Sequence, residues 1–340
     1  MTRELTQREK EILREVVHDF ILTATPVPSK FIAEKKSVGL SSATVRHLMA
    51  QLEDFGFLNH PHTSAGRVPT DKGYRFYLDS LISLDSLAEE DVAEISAGLN
   101  APHDPGELLS DASKLLGKVS KQLSLVSAPY LGDAVLTKIE LVSLNSSKIL
   151  VVISLETGLI KTIVLEVEGG VNPQGLSKIS SLLNERLSGL RLSEIRESIL
   201  DRVGNYADEE VISKFASMKE RIFAPMPETD RVHIGMPQDL LSHPEFELPE
   251  NLRGILEILG DENVILHILE KGDKDEQITV KVGSENEDQK LKDYSLITAR
   301  YEVGGVSGTV GVVGPRRMQY SRLIPLVDFV AKVISNKLGS

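Results

Sequence analysis

The sequence contains no cysteine and no tryptophan, and only 5% of its residues are aromatic. The absence of cysteine excludes disulfides, thiol catalysis and cysteine-based zinc sites. The longest apolar runs, such as Ile149–Leu155, have the length of a strand and are too short to span a membrane. The N-terminus begins with charged residues and lacks the apolar segment of a secretory signal. We therefore expect a cytoplasmic protein that contacts no membrane and needs no metal or other cofactor.

The chain also lacks an overall excess of basic residues. It has 38 Lys and Arg against 50 Asp and Glu, which gives a net charge of −12. The charge is uneven, because residues 1–80 hold 11 basic and 10 acidic residues, together with four of the eight histidines. An acidic body with one near-neutral end would approach DNA with that end forward. At 340 residues, the chain is long enough for two or three domains.

The first 40 residues carry the signals of two helices. Thr6 and Glu9 have the spacing of a capping box, and the helix that they open ends before Pro26. A second, shorter helix is predicted over Lys30–Lys36, after which Gly39 turns the chain towards a third helix. Helices joined by a tight turn that contains glycine are typical of the helix-turn-helix motif.

The third helix has the pattern of a recognition helix. Ser41 or Ser42 can serve as its N-cap, and the apolar residues from Val45 to Leu52 recur on one face. The opposite face is small and polar at its N-terminal end, which suits a major groove about 12 Å wide. We expect Arg46 to be the main base-reading residue. The predicted contacts of this helix are Ser42, Thr44, Arg46 and His47.

A two-stranded wing is predicted after the recognition helix. Gly56 ends the helix, Phe57–His60 forms a short strand, and a polar loop leads back to Val68. A short loop that ends in Gly-Arg suits a contact with the phosphate backbone or the minor groove. The following helix, Asp71–Leu84, either brings cations to the DNA backbone or exposes a solvated face, and Tyr74 either touches a phosphate or packs on the wing. The predicted contacts here are Ser64, Gly66, Arg67, Lys72 and Arg75.

The remaining chain reads as an α+β domain interrupted by helices. We expect a winged-helix domain over residues 1–84, a linker with a short helix over 85–106 and an α+β domain over 107–170 and 226–340. Within it, Leu108–Leu125 is predicted as an amphipathic helix that packs on the domain or pairs with a second copy. Strand signals between Thr137 and residue 167 predict a three-stranded meander. Residues 171–225 predict an all-helical insertion, which we assign to dimerisation.

Two long stretches resemble one protein family. LSSATVRHLMAQLEDFGFL, followed by HTSAGRVPTDKGYRFYLD, and the later GVVGPRRMQYSRLIPLVDFVA are similar to segments of the HrcA family of heat-inducible transcription repressors. The resemblance extends along the whole chain and is weakest at residues 85–130. The family pattern has asparagine after the arginine of the recognition helix, where this chain has His47.

The HrcA resemblance implies a GAF-like sensor domain and a homodimer that binds the double-stranded inverted repeat called CIRCE. It implies repression of chaperone operons of the groE and dnaK type, release on heat stress, and maintenance of the active form by the chaperonin GroEL. A metabolite-gated winged-helix regulator is the alternative hypothesis. No catalytic set is legible, so an enzyme is not expected. Gly304–Gly311 lacks the Lys-Ser/Thr of a phosphate loop, and His60 and His62 are better read as wing residues than as metal ligands.

Overall fold

The computed structural model describes residues 4–61, 66–100, 104–166, 173–203, 218–220, 222–223, 231–237, 240, 244–247, 249–270 and 277–339. These residues form a mixed α+β architecture, which confirms the predicted fold class. The chain divides into two compact units. The first comprises residues 1–126, 234–299 and 310–331, and the second comprises residues 127–233, 300–309 and 332–340. Across the described ranges, no helix is both long and apolar enough to cross a membrane.

The N-terminal part of the first unit has the winged-helix arrangement that the sequence predicts. Three helices are followed by a two-stranded antiparallel wing and a fourth helix that leaves the motif. The first and fourth helices pack against each other and against the second wing strand. The elements are α1 (Gln7–Thr23), α2 (Ser29–Ala33), α3 (Ser42–Asp54), β1 (Leu58–Asn59), β2 (Val68–Pro69) and α4 (Asp71–Ser80).

Local signals set the ends of these helices. The Thr6 N–H donates to the Glu9 carboxylate at 2.7 Å, and the Glu9 N–H donates to Thr6 Oγ1 at 3.3 Å, so the predicted capping box is present. Gly56 has a φ of 77° and lies just beyond α3, where it lets the Phe57 N–H return to the Leu52 carbonyl at 2.9 Å. Such a left-handed residue is the common way to end a helix.

A five-stranded sheet is the main β element, with the strand order β7-β3-β10-β9-β8. Four of its strands come from the C-terminal third of the chain, and two helices lie between the winged helix and its first strand. The elements are α5 (Glu89–Gly98), α6 (Pro105–Ser120), β3 (Leu123–Ser127), β7 (Val232–Gly235), α9 (Pro249–Leu259), α10 (Glu262–Glu270), β8 (Ile278–Val282), β9 (Tyr294–Val303), β10 (Val306–Pro315) and α11 (Tyr320–Leu338).

The helix predicted over Leu108–Leu125 is wrong at its C-terminal end. The helix stops at Ser120, Lys121 adopts a left-handed conformation, and strand β3 begins at Leu123. This strand pairs antiparallel with β10, and all its residues are buried. A strand that is buried on both faces has no polar alternation, so its leucines continued the helical spacing by coincidence.

The segment predicted as a linker contains α5, which belongs to the packed part of the first unit. Ile95 and Leu99 are fully buried, and α5 packs on α6. In addition, the Asp91 carboxylate of α5 accepts a hydrogen bond from the guanidinium of Arg322, near the C-terminus, at 2.9 Å. Residues 89–98 therefore act as a structural helix.

The second unit is built on a three-stranded antiparallel sheet with the order β4-β5-β6. One face of this sheet packs with two helices around a common core that includes Val151, Ile153, Leu183 and Ile195. Sequence analysis had separated the sheet from the helices at residue 170, whereas the structure joins them. Most of residues 204–225, the last part of the predicted helical insertion, lie outside the described residues. The elements are β4 (Leu136–Ser143), β5 (Lys148–Leu155), β6 (Ile160–Glu166), α7 (Pro173–Leu187) and α8 (Leu192–Val203).

Candidate nucleic-acid interface

Helix α3 has one buried face and one exposed face. Val45, Met49 and Leu52 are buried, as their spacing predicts. The four residues predicted to contact bases are all exposed, and they lie in the N-terminal half of the helix. These residues are Ser42, Thr44, Arg46 and His47.

The start of α3 is fixed by its cap. Ser41 Oγ accepts from the Thr44 N–H at 3.2 Å and lies 2.9 Å from Thr44 Oγ1. The side chains of Arg46 and His47 make no hydrogen bond or ion pair with any residue that the structure describes. The Arg46 guanidinium therefore keeps its N–H donors for another molecule.

The wing is short and is tied to the body of the motif. Leu58 pairs with Pro69 and Asn59 with Val68, and the backbone of Arg67 pairs with that of Val27. Ser64, a predicted wing contact, lies outside the described residues.

Gly66 has a packing role. It is buried, and a Cβ at this position would lie 2.5 Å from the backbone carbonyl of Pro26. Only glycine allows the two chain segments to come so close. The structure shows the packing of Gly66 against Pro26 and does not test its predicted contact with DNA, which stays a prediction.

Arg67 is held inside the winged helix. Its Nε lies 2.7 Å from Glu53 on α3, and its guanidinium donates to His60 Nδ1 at 2.8 Å. The side chain is only 18% exposed. Arg67 thereby ties the wing to the recognition helix, and its predicted DNA contact remains a prediction.

Lys72 belongs to α4, and its side chain reaches the C-terminal end of α3. Its ammonium donates to the Phe55 carbonyl at 2.7 Å and lies 4.3 Å from the centre of the Phe57 ring. A cation at a helix C-terminus interacts favourably with the free carbonyls there. Because the side chain is exposed and an ammonium has further donors, Lys72 remains able to bind a phosphate.

Arg75 faces the C-terminal half of the first unit. Its Nε donates to Glu285 Oε1 at 2.7 Å, and a second nitrogen donates to the Val280 carbonyl at 2.5 Å. The hydrogen bonds that Arg75 donates to the Glu285 carboxylate raise the pKa of Arg75 further above its ordinary value. The predicted contact between Arg75 and the DNA backbone is untested, but the structure gives its guanidinium a different partner.

The sequence left open whether Tyr74 touches a phosphate or packs inside the protein, and the structure shows it packed inside. Its side chain is 2% exposed, and its ring lies 6.1 Å from that of Tyr320. Burial raises the pKa of Tyr74 well above its ordinary value. A hydroxyl in this position is too enclosed to reach a phosphate.

The sequence did not reveal the acidic partners of Arg75 and Arg316. Glu285 lies 210 residues from Arg75, and Arg316 lies 245 residues from its partner Asp71. No local spacing links residues so far apart. The described residues contain no group of histidine, aspartate and glutamate that could hold a metal ion.

Comparison with known proteins identifies the family. The family profile described as "HrcA protein C terminal domain" matches residues 106–324. The chain is 36% identical to the heat-inducible transcription repressor HrcA of Chlorobium phaeobacteroides (strain BS1), with all of both chains covered. It is 38% identical to HrcA of Chlorobium chlorochromatii (strain CaD3), with 99% of this chain and 98% of that protein covered.

A solved structure described as a hypothetical protein has a similar fold. Its TM-score is 0.63 at 23% identity, and the match covers 99% of each chain. The sequence matches cover both the winged helix and the rest of the chain, which agrees with the resemblance seen in the two motifs. The chain belongs to the HrcA family of heat-inducible transcription repressors, and it is a DNA-directed regulator, not an enzyme.

Proposed function

We propose that this repressor acts in the cytoplasm as a homodimer on a CIRCE-type inverted repeat upstream of groE- and dnaK-type chaperone operons. The observation that carries the proposal is the exposed face of α3, on which Arg46 has no partner among the described residues. A helix that presents a free arginine next to small polar residues suits direct reading of base edges in the major groove.

Arg46 is the proposed base reader. Arginine forms bidentate hydrogen bonds with the O6 and N7 atoms of guanine, which is the most common specific contact in the major groove. Ser42, Thr44 and His47 would contact neighbouring bases or phosphates. Lys72 would bind the phosphate backbone, which adds affinity without sequence preference. Ser64 would complete the contact from the wing.

The dimer follows from the symmetry of the target. An inverted repeat presents two equivalent half-sites, which suit two recognition helices about 34 Å apart. The second unit offers a surface for such pairing, because Val142 and Val164, both 46% exposed, flank Leu150 in one row across the outer face of its sheet. Ile160, on the same face, is 65% exposed. An apolar row of this kind marks an interaction site.

Release on heating would arise from the stability of the repressor itself. Domains unfold at a cost of only about 5–15 kcal/mol, so modest heating changes the folded fraction greatly. The chaperonin GroEL would restore the active form, and its occupation by other unfolded chains during stress would leave less repressor able to bind DNA.

The first test is binding of the purified protein to a CIRCE-type inverted repeat and to a scrambled duplex of the same composition. Both are measured by fluorescence anisotropy at one salt concentration, with and without GroEL. Tight binding to the repeat alone, improved by the chaperonin, is the expected result. Equal, weak binding to both duplexes would contradict the proposal.

The dimer surface is tested by the double substitution Val142→Lys and Val164→Lys, with Ser146→Lys in an exposed turn as the control. Sedimentation should show a monomer for the double variant and a dimer for the control. A dimer in both would contradict this surface. The assignment of dimerisation to residues 171–225 stays a prediction with its own test. Deleting these residues should give a monomer that binds DNA weakly, and an intact dimer would contradict the assignment.

A second candidate function, gating by a metabolite, is favoured by one observation. A cavity of about 280 Å³ lies beside Tyr74, and its other lining residues include Phe20, Tyr294 and Arg317. The Tyr74 hydroxyl is buried and has no hydrogen-bond partner among the described residues. A small molecule that binds here should raise the melting temperature of the wild type, and Tyr74→Phe should weaken the effect. DNA binding that is unchanged by every stabilising compound would remove this candidate.

A further inference from the structure

Helix α4 belongs to two parts of the first unit at once. On one side it packs against α1 and β2 and so moves with the recognition helix. On the other side, two of its charged residues, Asp71 and Arg75, bind the C-terminal half of the unit. Whatever holds α4 therefore also sets the direction in which α3 points.

The first half of this contact is made by Asp71. One carboxylate oxygen accepts from the Ser284 N–H at 2.9 Å, and the other accepts from Arg316 at 3.2 Å. The approach is close, because a Cβ on Gly283 would lie 2.4 Å from the Asp71 carboxylate. Gly283 has a φ of 53°, which aims the Ser284 N–H at Asp71.

The second half is made by Arg75 and Glu285. The pair is bidentate, with the two nitrogen–oxygen distances at 2.7 and 2.5 Å. Glu285 is itself fixed, since it accepts from the Val282 N–H at 2.8 Å. A two-point contact of this kind fixes direction as well as distance. We call Asp71, Arg75, Ser284, Glu285 and Arg316 the clamp.

Apolar packing leaves a gap beside the clamp. The cavity of about 280 Å³ is bordered by Phe20, Val68 and Tyr74 of the winged helix and by Tyr294 and Arg316 of the C-terminal half. This pocket is partly open to solvent, and the surfaces that border it are not in close apolar contact there. The charged contacts therefore carry a larger share of the orientation.

We propose that Arg75 and Glu285 are positioning residues for operator binding, because the clamp fixes the direction of α3 so that both recognition helices of a dimer meet their half-sites. The inference rests on the proposed function. It assigns Arg75 a role inside the fold, in place of the contact with the DNA backbone that the sequence predicted. Losing the clamp should reduce the advantage of binding two half-sites together and leave binding to one half-site unchanged.

The experiment compares the affinities of each variant for the inverted repeat and for a single half-site. Glu285→Gln keeps the shape of the side chain and removes its charge. Asp79→Asn is the matched control, because Asp79 also pairs with Arg75, at 3.2 Å, but from within α4. We expect Glu285→Gln to lower affinity for the repeat about tenfold and to leave the half-site within about twofold, with no change for Asp79→Asn.

Other results would overturn the proposal. If Arg75 binds DNA, removing either carboxylate frees it, and Glu285→Gln should leave affinity for the repeat unchanged or raise it. An equal loss on the repeat and on the half-site would indicate general destabilisation. If the wild type itself does not prefer the repeat to a scrambled duplex, the proposed operator fails, and the clamp must be judged without DNA.

Distance measurement supplies that judgement, since the chain has no cysteine of its own. Spin labels are placed at Asp54→Cys on α3 and at Lys292→Cys, and labelled chains are diluted with unlabelled ones. Double electron–electron resonance should give one narrow distance distribution in this background and a broad one when Glu285→Gln is added. Equally narrow distributions would overturn the clamp, whatever the protein does on DNA.

Discussion

The basic residues of the winged helix are close in sequence but differ in their contacts. Those around the wing and α4 are bound within the fold, whereas the exposed face of α3 carries an arginine that no described residue binds. Arg46 has no partner among the described residues, whereas Arg67 and Arg75 are bound to Glu53 and Glu285. All three are arginines of the same motif. The difference predicts that an arginine without a partner in the fold is more readily available to DNA than one held by an ion pair.

Gly66 provides the strongest way to break this arrangement. Gly66→Ala should destabilise the winged helix by about 2–3 kcal/mol, because the new methyl group would have to displace the backbone of Pro26. Chemical denaturation followed by circular dichroism measures the loss. Gly158→Ala, in a turn with open space around it, tests only the backbone strain of a positive φ and should cost less. Equal losses would contradict the packing role of Gly66.

Arg46→Ala tests the free side of the comparison. We expect it to cost about 1–3 kcal/mol in operator binding and to relax specificity at one base position, with the melting temperature unchanged. Anisotropy titrations against operators that are substituted at single positions measure both effects. Arg191→Ala, which removes an exposed arginine of the second unit, is the control and should leave binding unaltered. The same loss for both variants would mean that only total charge matters.

Lys35 is another basic residue of the winged helix that is held by acidic side chains. It lies 2.9 Å from Glu15 and 2.5 Å from Asp19. Partial burial is the largest single influence and raises the pKa of Glu15, but the hydrogen bond and charge of Lys35, together with those of Arg14, outweigh it and lower the pKa of that carboxyl. A carboxyl with a lowered pKa in the folded state adds stability above its unfolded pKa and loses it as the pH falls.

Lys35→Met should therefore lower the free energy of unfolding by about 1 kcal/mol at neutral pH, since solvent screens the partly exposed pair. The difference from wild type should shrink as the pH falls below about 4, where Glu15 is protonated. Urea denaturation at several pH values measures it, with the exposed Lys114→Met as the control. A difference that is independent of pH would contradict the ion-pair explanation.

Lys72 should show the smallest effect, because it is engaged and exposed at once. Lys72→Ala should weaken binding to operator and scrambled duplexes alike and reduce the salt slope by about one unit. Its cost to stability should stay below about 1 kcal/mol, since only an exposed helix-end contact is lost. A loss confined to the operator would instead make Lys72 a base reader.

Much of the winged helix could be predicted because its signals are local. The capping box at Thr6, the N-cap at Ser41 and the glycine after α3 each act within four residues of the boundary that they set. The apolar face of α3 follows from helical spacing alone. The exposed positions of Arg46 and His47 follow from the same spacing.

The rest depended on contacts that spacing does not reveal. Strand β3 was hidden because every one of its residues is buried, so its pattern continued that of α6. Arg75 and Glu285 are 210 positions apart in the sequence, and the residues around each of them do not predict that they pair. Both failures concern tertiary packing, which overrides local pattern.

The most direct test of this comparison measures Arg46→Ala and Arg67→Ala side by side on the inverted repeat and on a scrambled duplex, with the melting temperature of each variant. We predict that Arg46→Ala loses the preference for the repeat and melts like the wild type. Arg67→Ala should melt at a lower temperature and, below that temperature, keep the preference. The reverse pattern would show that Arg67 leaves Glu53 to read DNA and that the exposed face of α3 is not the reading surface.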